Sequence, residues 1–189
     1  SRFTLHKKLR LPDKLITFDK FSFDLAKKTF AHEENSGHVS IKNIPNQYLS
    51  KINNNKKKKN DMVIFSSNYD KIKKLYLSDE KIIYLFIKKN LQFFKQKKIN
   101  SYFIKLHPSE SKSKFSKLLK KIKNELSINS ISINYNLDKI ISKVKYAAGY
   151  NSMALVKAKL NDCITIEINV PKIKCDIPKK YINLNFNIT

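Results

Sequence analysis

The sequence predicts an α/β fold built as a doubly wound parallel sheet. Three observations predict it. From residue 61 onward, apolar runs of strand length alternate with stretches whose apolar residues recur every three or four positions. The runs end in turn residues such as Pro108 and Gly149. The chain has 189 residues, 41% hydrophobic and 11% aromatic, enough for the core of one domain with part of another. Strands alternating with helices place parallel strands side by side, with helices on both faces.

Residues 1–50 read as a distinct segment. After Pro12, the run Leu15 to Phe18 is a short strand. Phe21, Leu25, Ala26 and Phe30 then share one face of a helix. Val39 and Ile41 alternate in a stretch that closes on Pro45 and Tyr48. Residues 51–60, rich in Asn and Lys, form a polar linker. The main domain spans 61–189. Strands are predicted over 62–67, 101–108, 129–135, 145–149 and 163–168. Helices are predicted over 79–98, 111–126, 136–144 and 151–160, the last capped by Asn151 or Ser152. Residues 171–189 supply a closing loop and an edge strand.

Thirty-nine Lys+Arg against fifteen Asp+Glu give a formal net charge of +24. Such a charge attracts nucleic acid or anionic membrane. All but Arg2 and Arg10 of these cations are lysine, however. Geometric reading of phosphate or bases favours the bidentate Arg fork. The Lys, Asn and Ile excess is what an AT-rich coding sequence imposes on any surface, so the charge reads mostly as composition. Nucleic acid is therefore not the expected partner.

Other classes are set aside. No apolar run reaches the roughly 18 residues of a membrane span, and the N-terminal stretch has no signal-peptide core. Cys163 and Cys175 make no C-x-x-C and too few cysteines for a disulfide framework. Cys163 reads as a small core residue, and Cys175 has no partner at an interpretable spacing. His6, His32, His38 and His107 form no metal-ligand spacing with them, so neither a metal nor another cofactor is expected. Two glycines exclude a P-loop and a G-x-G-x-x-G turn. The chain begins at Ser1 rather than Met, which leaves a processed product or a fragment open.

Ligands of such a sheet bind at the carboxyl ends of its strands. Three strand ends carry chemistry: Ser66–Ser67–Asn68, His107–Pro108–Ser109–Glu110 and Gly149–Tyr150–Asn151–Ser152. Gly149 permits a tight turn and a close backbone approach. Asn151 and Ser152 open a helix whose positive end suits phosphate, although both are also ordinary caps. Pro108 fixes the chain direction, and an imidazole at position 107 can donate to a phosphate or a leaving oxygen. A histidine at a strand end is also a common structural residue. Asp19 and Asp24 are carboxylates that nothing singles out as a base.

"YFIKLHPSE" followed by "KYAAGYNSMALVKAKL" resembles the nucleotide-binding half of bacterial sialyltransferases of the GT-B type, and related enzymes that transfer other nonulosonic acids. The resemblance covers residues 61–168 well. "LPDKLITFD" and "NIPNQYL", within 11–50, are loosely similar to the stretch joining the two domains. It implies a Rossmann-like donor-binding domain over 61–189, preceded by the end of an acceptor domain and an interdomain segment over 1–50. It implies transfer of a sialic-acid-like sugar, with inversion, from a CMP donor to a glycan acceptor in surface polysaccharide or lipopolysaccharide synthesis. His107 matches the His-Pro motif and is implied as the catalytic group on the departing phosphate. Ser152 matches the later Ser motif and is implied to hold that phosphate, with Gly149 and Asn151 around it. Pro108, Glu110, Ser66 and Ser67 complete the expected nucleotide site, Glu110 where an acidic residue follows the motif. A complete GT-B enzyme has two such domains, and the one that usually supplies the base is largely absent from this chain. The implied location is the cytoplasm, with peripheral contact to an anionic inner membrane face.

Three alternatives stay open. A UDP-sugar GT-B enzyme or epimerase shares the His-Pro strand end, but the epimerases carry a Gly-rich turn and a later Glu that "GYNSMAL" lacks. A basic nucleic-acid module needs aromatics interleaved with exposed cations, whereas the aromatics here fall on apolar faces. A domain that docks on anionic membrane through its lysines is the third.

Overall fold

The computed structural model describes residues 12–17, 20–43, 51–52, 57–67, 77–134, 136–171, 173 and 175–188. Phe18, Asp19, Pro45, Tyr48, Asn68 and the side chain of Phe21 lie outside the described set. The chain divides into two compact units, Ser1–Ser50 and Lys51–Thr189.

In the first unit, β1 (Lys14–Thr17) pairs in parallel with β2 (Ser40–Asn43), with Leu15 beside Ile41. Two helices, α1 (Lys20–Thr29) and α2 (Ala31–Asn35), connect them. Ala26, Phe30, Val39 and Ile41 form the small core. Leu25, expected on the same face, is 43% exposed instead. Position 25 is one residue from Ala26, about 100° round the helix, and turns outward with it. Helix α2 stops in a Schellman turn. Gly37 takes φ +79°, its N–H reaches the Glu34 carbonyl at 3.1 Å, and the His38 N–H reaches that of Glu33 at 2.9 Å.

The second unit carries a six-stranded, all-parallel sheet. Its strands are β3 (Lys59–Phe65), β4 (Tyr102–Lys105), β5 (Ile131–Asn134), β6 (Val144–Gly149), β7 (Ile164–Asn169) and β8 (Leu184–Asn187). Their order is β5-β4-β3-β6-β7-β8. The strand order reverses between β3 and β6, so the sheet is the Rossmann-like, doubly wound kind. Central β3 is apolar throughout Met62–Phe65 and wholly buried, as a strand covered on both faces must be.

Helices flank the sheet. They are α3 (Asp79–Lys89), α4 (Leu91–Gln96), α5 (Lys112–Leu126), α6 (Leu137–Ile141) and α7 (Met153–Leu160). In α3, Ser78 caps the first turn by accepting from the Lys81 N–H at 3.3 Å. Asp79 and Glu80 lie at the positive end, Lys88 and Lys89 at the negative end. Ile82, Ile83, Phe86 and Ile87 recur at helical spacing and are fully buried. The sequence predicts one helix over 79–98, but the structure breaks it at Asn90. The Asn90 Nδ2 donates to the Phe86 carbonyl at 2.8 Å, and this side-chain bond competes with the helical ladder. Phe94 packs edge-on to Phe86 at 5.3 Å and to Tyr102 at 6.0 Å, which ties the second segment to the core.

Helix α5 buries Phe115, Leu118 and Ile122, and of its lysines Lys114 turns inward, to Asp79 and Glu110. Helix α7 is buried on most sides from Ala154 to Ala158. Lys157, in its middle, is 3% exposed and pairs with Asp138 at 2.5 Å. Cys163, 3% exposed, is the core residue its sequence position predicts.

Candidate functional site

The parallel register sets the site. Phe65 at the end of β3 lies beside Lys105 of β4 on one side and Gly149 of β6 on the other. The segments after these strands are therefore neighbours, with Ser66 and Ser67 between the His107 and Tyr150 segments. They meet where the strand order reverses, the place where open α/β sheets take ligands.

The two serines splay to opposite sides. Ser66 is 4% exposed, and its Oγ accepts the His107 N–H at 2.8 Å and donates to the Glu110 carboxylate. Ser67 Oγ donates to the Tyr150 carbonyl at 2.8 Å. Together they lace β3 to both neighbours.

The segment His107–Glu110 is a β-turn, closed by the Glu110 N–H on the His107 carbonyl at 3.0 Å. Pro108 occupies its second position, where a fixed φ suits the turn. The ring Nδ1 of His107 lies 2.7 Å from Ser109 Oγ and accepts the Ser109 N–H at 3.3 Å. A nitrogen that accepts an amide proton carries none, so in the neutral ring the proton resides on Nε2, which is left as a donor. His107, Pro108 and Ser109 are exposed.

On the other side, Gly149 does not make the tight turn expected of it. Positive φ falls on Asn151, at 45°, a conformation Asn tolerates better than most residues. Gly149 is glycine for packing, since a Cβ there would meet Phe65 Cβ at 3.3 Å. Asn151 spends its side chain on the tail. Its Oδ1 accepts the Asp176 N–H at 3.0 Å, and its Nδ2 donates to the Asp176 carboxylate at 3.3 Å. Ser152 is the N-cap of α7, yet its side chain makes no capping bond. Its half-buried hydroxyl and the first amides of α7 define a polar, positive end.

Beneath the turn lies a buried cluster that sequence reasoning missed. The side chains of Asp79 and Glu110 are both 0% exposed. Lys114 Nζ bridges them, 3.3 Å from Asp79 Oδ2 and 2.9 Å from Glu110 Oε1. The Tyr150 hydroxyl donates to Asp79 Oδ1. Glu110 Oε2 accepts from Ser66 Oγ and from the His107 N–H, the latter at 3.1 Å. Burial pushes the Asp79 carboxyl up from 3.8 to about 6; the Tyr150 bond and Lys114 oppose the rise, and Glu110 adds to it. Burial acts to raise Glu110 too, but the bonds from Ser66, Lys114, Asp79 and the His107 N–H outweigh it, so its carboxyl is held low. Burial, and then the charge of Asp79, push the Tyr150 phenol up.

The expected residues thus divide. His107, Pro108 and Ser152 reach the surface of the strand ends. Ser66 and Glu110 face inward and hold the turn. Ser67, Gly149 and Asn151 shape the β6 side. A separate cavity of about 440 Å³ opens between α3 and α5, lined by Lys81, Tyr84, Leu85, Lys117 and Lys121, and shares Lys114 with the cluster. Among the described residues no group of three or more His, Cys, Asp or Glu could hold a metal ion, and no helix is long and apolar enough to cross a membrane.

Neither a family model nor a curated protein matches the chain. Among solved structures, a chain of the structure described as "Crystal structure of GtfA/B complex" shares the fold, with a TM-score of 0.50 and 18% identity. The match covers 92% of this chain and 34% of that one, so this chain spans about a third of the length of its structural neighbour.

Proposed function

We propose that the second unit binds the nucleotide phosphate of an activated sugar, and that the chain is the donor-binding part of a glycosyltransferase. The observation that carries this reading is the convergence at one sheet edge of an Nε2–H donor, on the turn 107–110, and the uncapped Ser152 end of α7. The fold shared with a chain of the GtfA/B complex is consistent with it. The donor is a CMP-activated, sialic-acid-like sugar, as the His-Pro and Ser motifs imply, and the acceptor is a glycan of a surface polysaccharide.

The chemistry follows from where charge develops. As the glycosidic bond to the phosphate breaks, negative charge grows on the departing oxygen. His107 Nε2–H donates to that oxygen. Ser152 Oγ and the α7 amides hold the remaining phosphate oxygens, aided by the helix dipole. Ser66 and Glu110 keep the His107 backbone in place. Removing one such preorganised donor typically lowers turnover by about 10²–10³-fold.

The test is a thermal-shift titration with CMP, UMP and a short single-stranded oligonucleotide, at low and moderate salt. Stabilisation by CMP that survives salt and is lost in Ser152→Ala supports the reading. Equal stabilisation by UMP favours a UDP-sugar enzyme. Stabilisation by the oligonucleotide alone, lost in salt, makes the lysines the function.

A further inference from the structure

Among the described residues, the two buried carboxylates of the cluster make their ion pairs with one ammonium, that of Lys114. Both acids ionised would set two negative charges against one ammonium away from water, and two carboxylates that share a site keep a proton between them. The geometry places that proton. Glu110 is surrounded by donors: Ser66 Oγ–H, the His107 N–H and Lys114 Nζ. Among the described residues, Asp79 receives the Tyr150 hydroxyl and the longer contact to Lys114, and it hydrogen-bonds to Glu110 itself. The donors favour the charged form of Glu110, so the proton stays on Asp79. The direction in which each carboxyl is shifted agrees.

We propose that Asp79 and Glu110 share one proton over Lys114 and act as the positioning element of the strand-end site, keeping the ground beneath the bound phosphate neutral while Glu110 grips the His107 turn. The part concerning phosphate rests on the donor-binding reading above. Among the described residues, four elements bring groups to the pair. Tyr150 comes from the end of β6, Lys114 from α5, Ser66 from the end of β3 and the His107 N–H from the turn. Lys105 of β4 feels the Glu110 charge as well. When Asp79 loses the proton, the cluster gains a negative charge. That charge opposes an anionic ligand and draws Lys114 from Glu110 toward Asp79.

Asp79 and Glu110 touch no ligand in this account, so the test must read more than activity. In the 189-residue chain, ¹³C carboxyl shifts followed against pH report the pair directly, with Asp79→Asn and Glu110→Gln assigning the resonances. The expected result is one carboxyl with its midpoint near pH 6, absent in Asp79→Asn, and Glu110 below the ordinary range. Two ordinary carboxyl midpoints, near 4, would overturn the proposal, whatever the protein binds.

The second arm is CMP affinity from pH 5 to pH 8, expressed as the ratio of wild type to Asp79→Asn. The ratio cancels the titration of the phosphate itself, whose second pKa is about 6. It should fall about fivefold as pH rises, the size of one charge acting in a partly solvated site. A flat ratio with CMP bound overturns the positioning role. A shared proton seen by NMR with no CMP binding at any pH overturns the donor reading and leaves the shared proton standing. If Asp79→Asn does not fold, Glu110→Gln gives the same two readouts, with the raised midpoint moving back toward the ordinary range.

Discussion

Glu110 closes on His107 twice. Its N–H reaches the His107 carbonyl at 3.0 Å, and its carboxylate accepts the His107 N–H at 3.1 Å. The same carboxylate takes the Ser66 hydroxyl and Lys114. Removing it takes one acceptor from each of three donors, and leaves Lys114 with Asp79 at 3.3 Å and the His107 N–H with Ser66 Oγ at 2.8 Å. Glu110→Ala should destabilise the protein by about 1.5–3 kcal/mol, the scale of losing hydrogen bonds to a buried charged group whose donors keep other partners. Glu110→Gln keeps an acceptor and should lose less. Urea unfolding at pH 7 with unchanged m-values checks both.

Ser152 offers the opposite case. A Ser at a helix start usually contributes about 1 kcal/mol through its capping bond. Here that bond is absent. Ser152→Ala should therefore change the unliganded stability by no more than about 0.5 kcal/mol. Its effect should appear with ligand, as loss of the CMP-induced shift. A variant that loses the unliganded stability of a normal cap would make Ser152 a structural residue.

The strands and most helices were legible because their periods differ: continuous apolar runs for strands, three-and-four spacing for helices. So were the three strand ends, since a parallel sheet puts its ligand edge there. Asp79 was not legible. An acidic residue in the first turn of a helix is the ordinary complement of the dipole. Its pairing with Tyr150, 71 positions away, and with Lys114, 35 away, gives it another role. The break at Asn90 was hidden for a similar reason, because its side chain takes a backbone carbonyl that sequence spacing cannot see. Gly149 was singled out for a tight turn and a close backbone approach; the positive φ falls on Asn151 instead, and the close approach is to Phe65.

The missing Cβ of Gly149 makes a prediction. In Gly149→Ala the new methyl meets Phe65 Cβ at 3.3 Å, Phe65 Cδ2 at 3.5 Å and Ser152 Cβ at 3.6 Å. Phe65 is 1% exposed on the central strand and has little room to retreat. The substitution should cost about 1–3 kcal/mol, as overpacking does. Gly149→Ala combined with Phe65→Leu should recover part of it. A chemical-denaturation cycle over the four proteins measures the coupling.

A chain with two glycines must use other residues at left-handed positions. Lys98 (φ 52°), Ser127 (φ 54°) and Asp162 (φ 59°) take them at helix ends. Each stores roughly 1 kcal/mol of Cβ strain. Lys98→Gly and Ser127→Gly should therefore each raise stability, by a few tenths to about 1 kcal/mol after the entropy of a freer unfolded chain is deducted. Melting temperatures of the two variants and their double check the sign and the additivity.

Asp79 sets the last prediction, and its sign is opposite to that of a salt-bridged acid. Its carboxyl is raised from 3.8 to about 6 in the folded protein. Below the lower value both folded and unfolded states hold the proton. Between pH 3.8 and about 6 the folded state keeps it and the unfolded state does not. Stability contributed by this group therefore falls as pH rises through that window and levels off above it. Asp79→Asn removes the titration. Its stability relative to wild type should climb across the window by up to about 3 kcal/mol, at 1.36 kcal/mol per pKa unit. Glu110, held low, acts in the opposite sense and is present in both proteins. Urea midpoints of the two proteins from pH 3.5 to pH 8 give the difference curve. A difference that stays flat would mean that Asp79 is ionised in the folded protein at every pH where it is ionised in the unfolded chain.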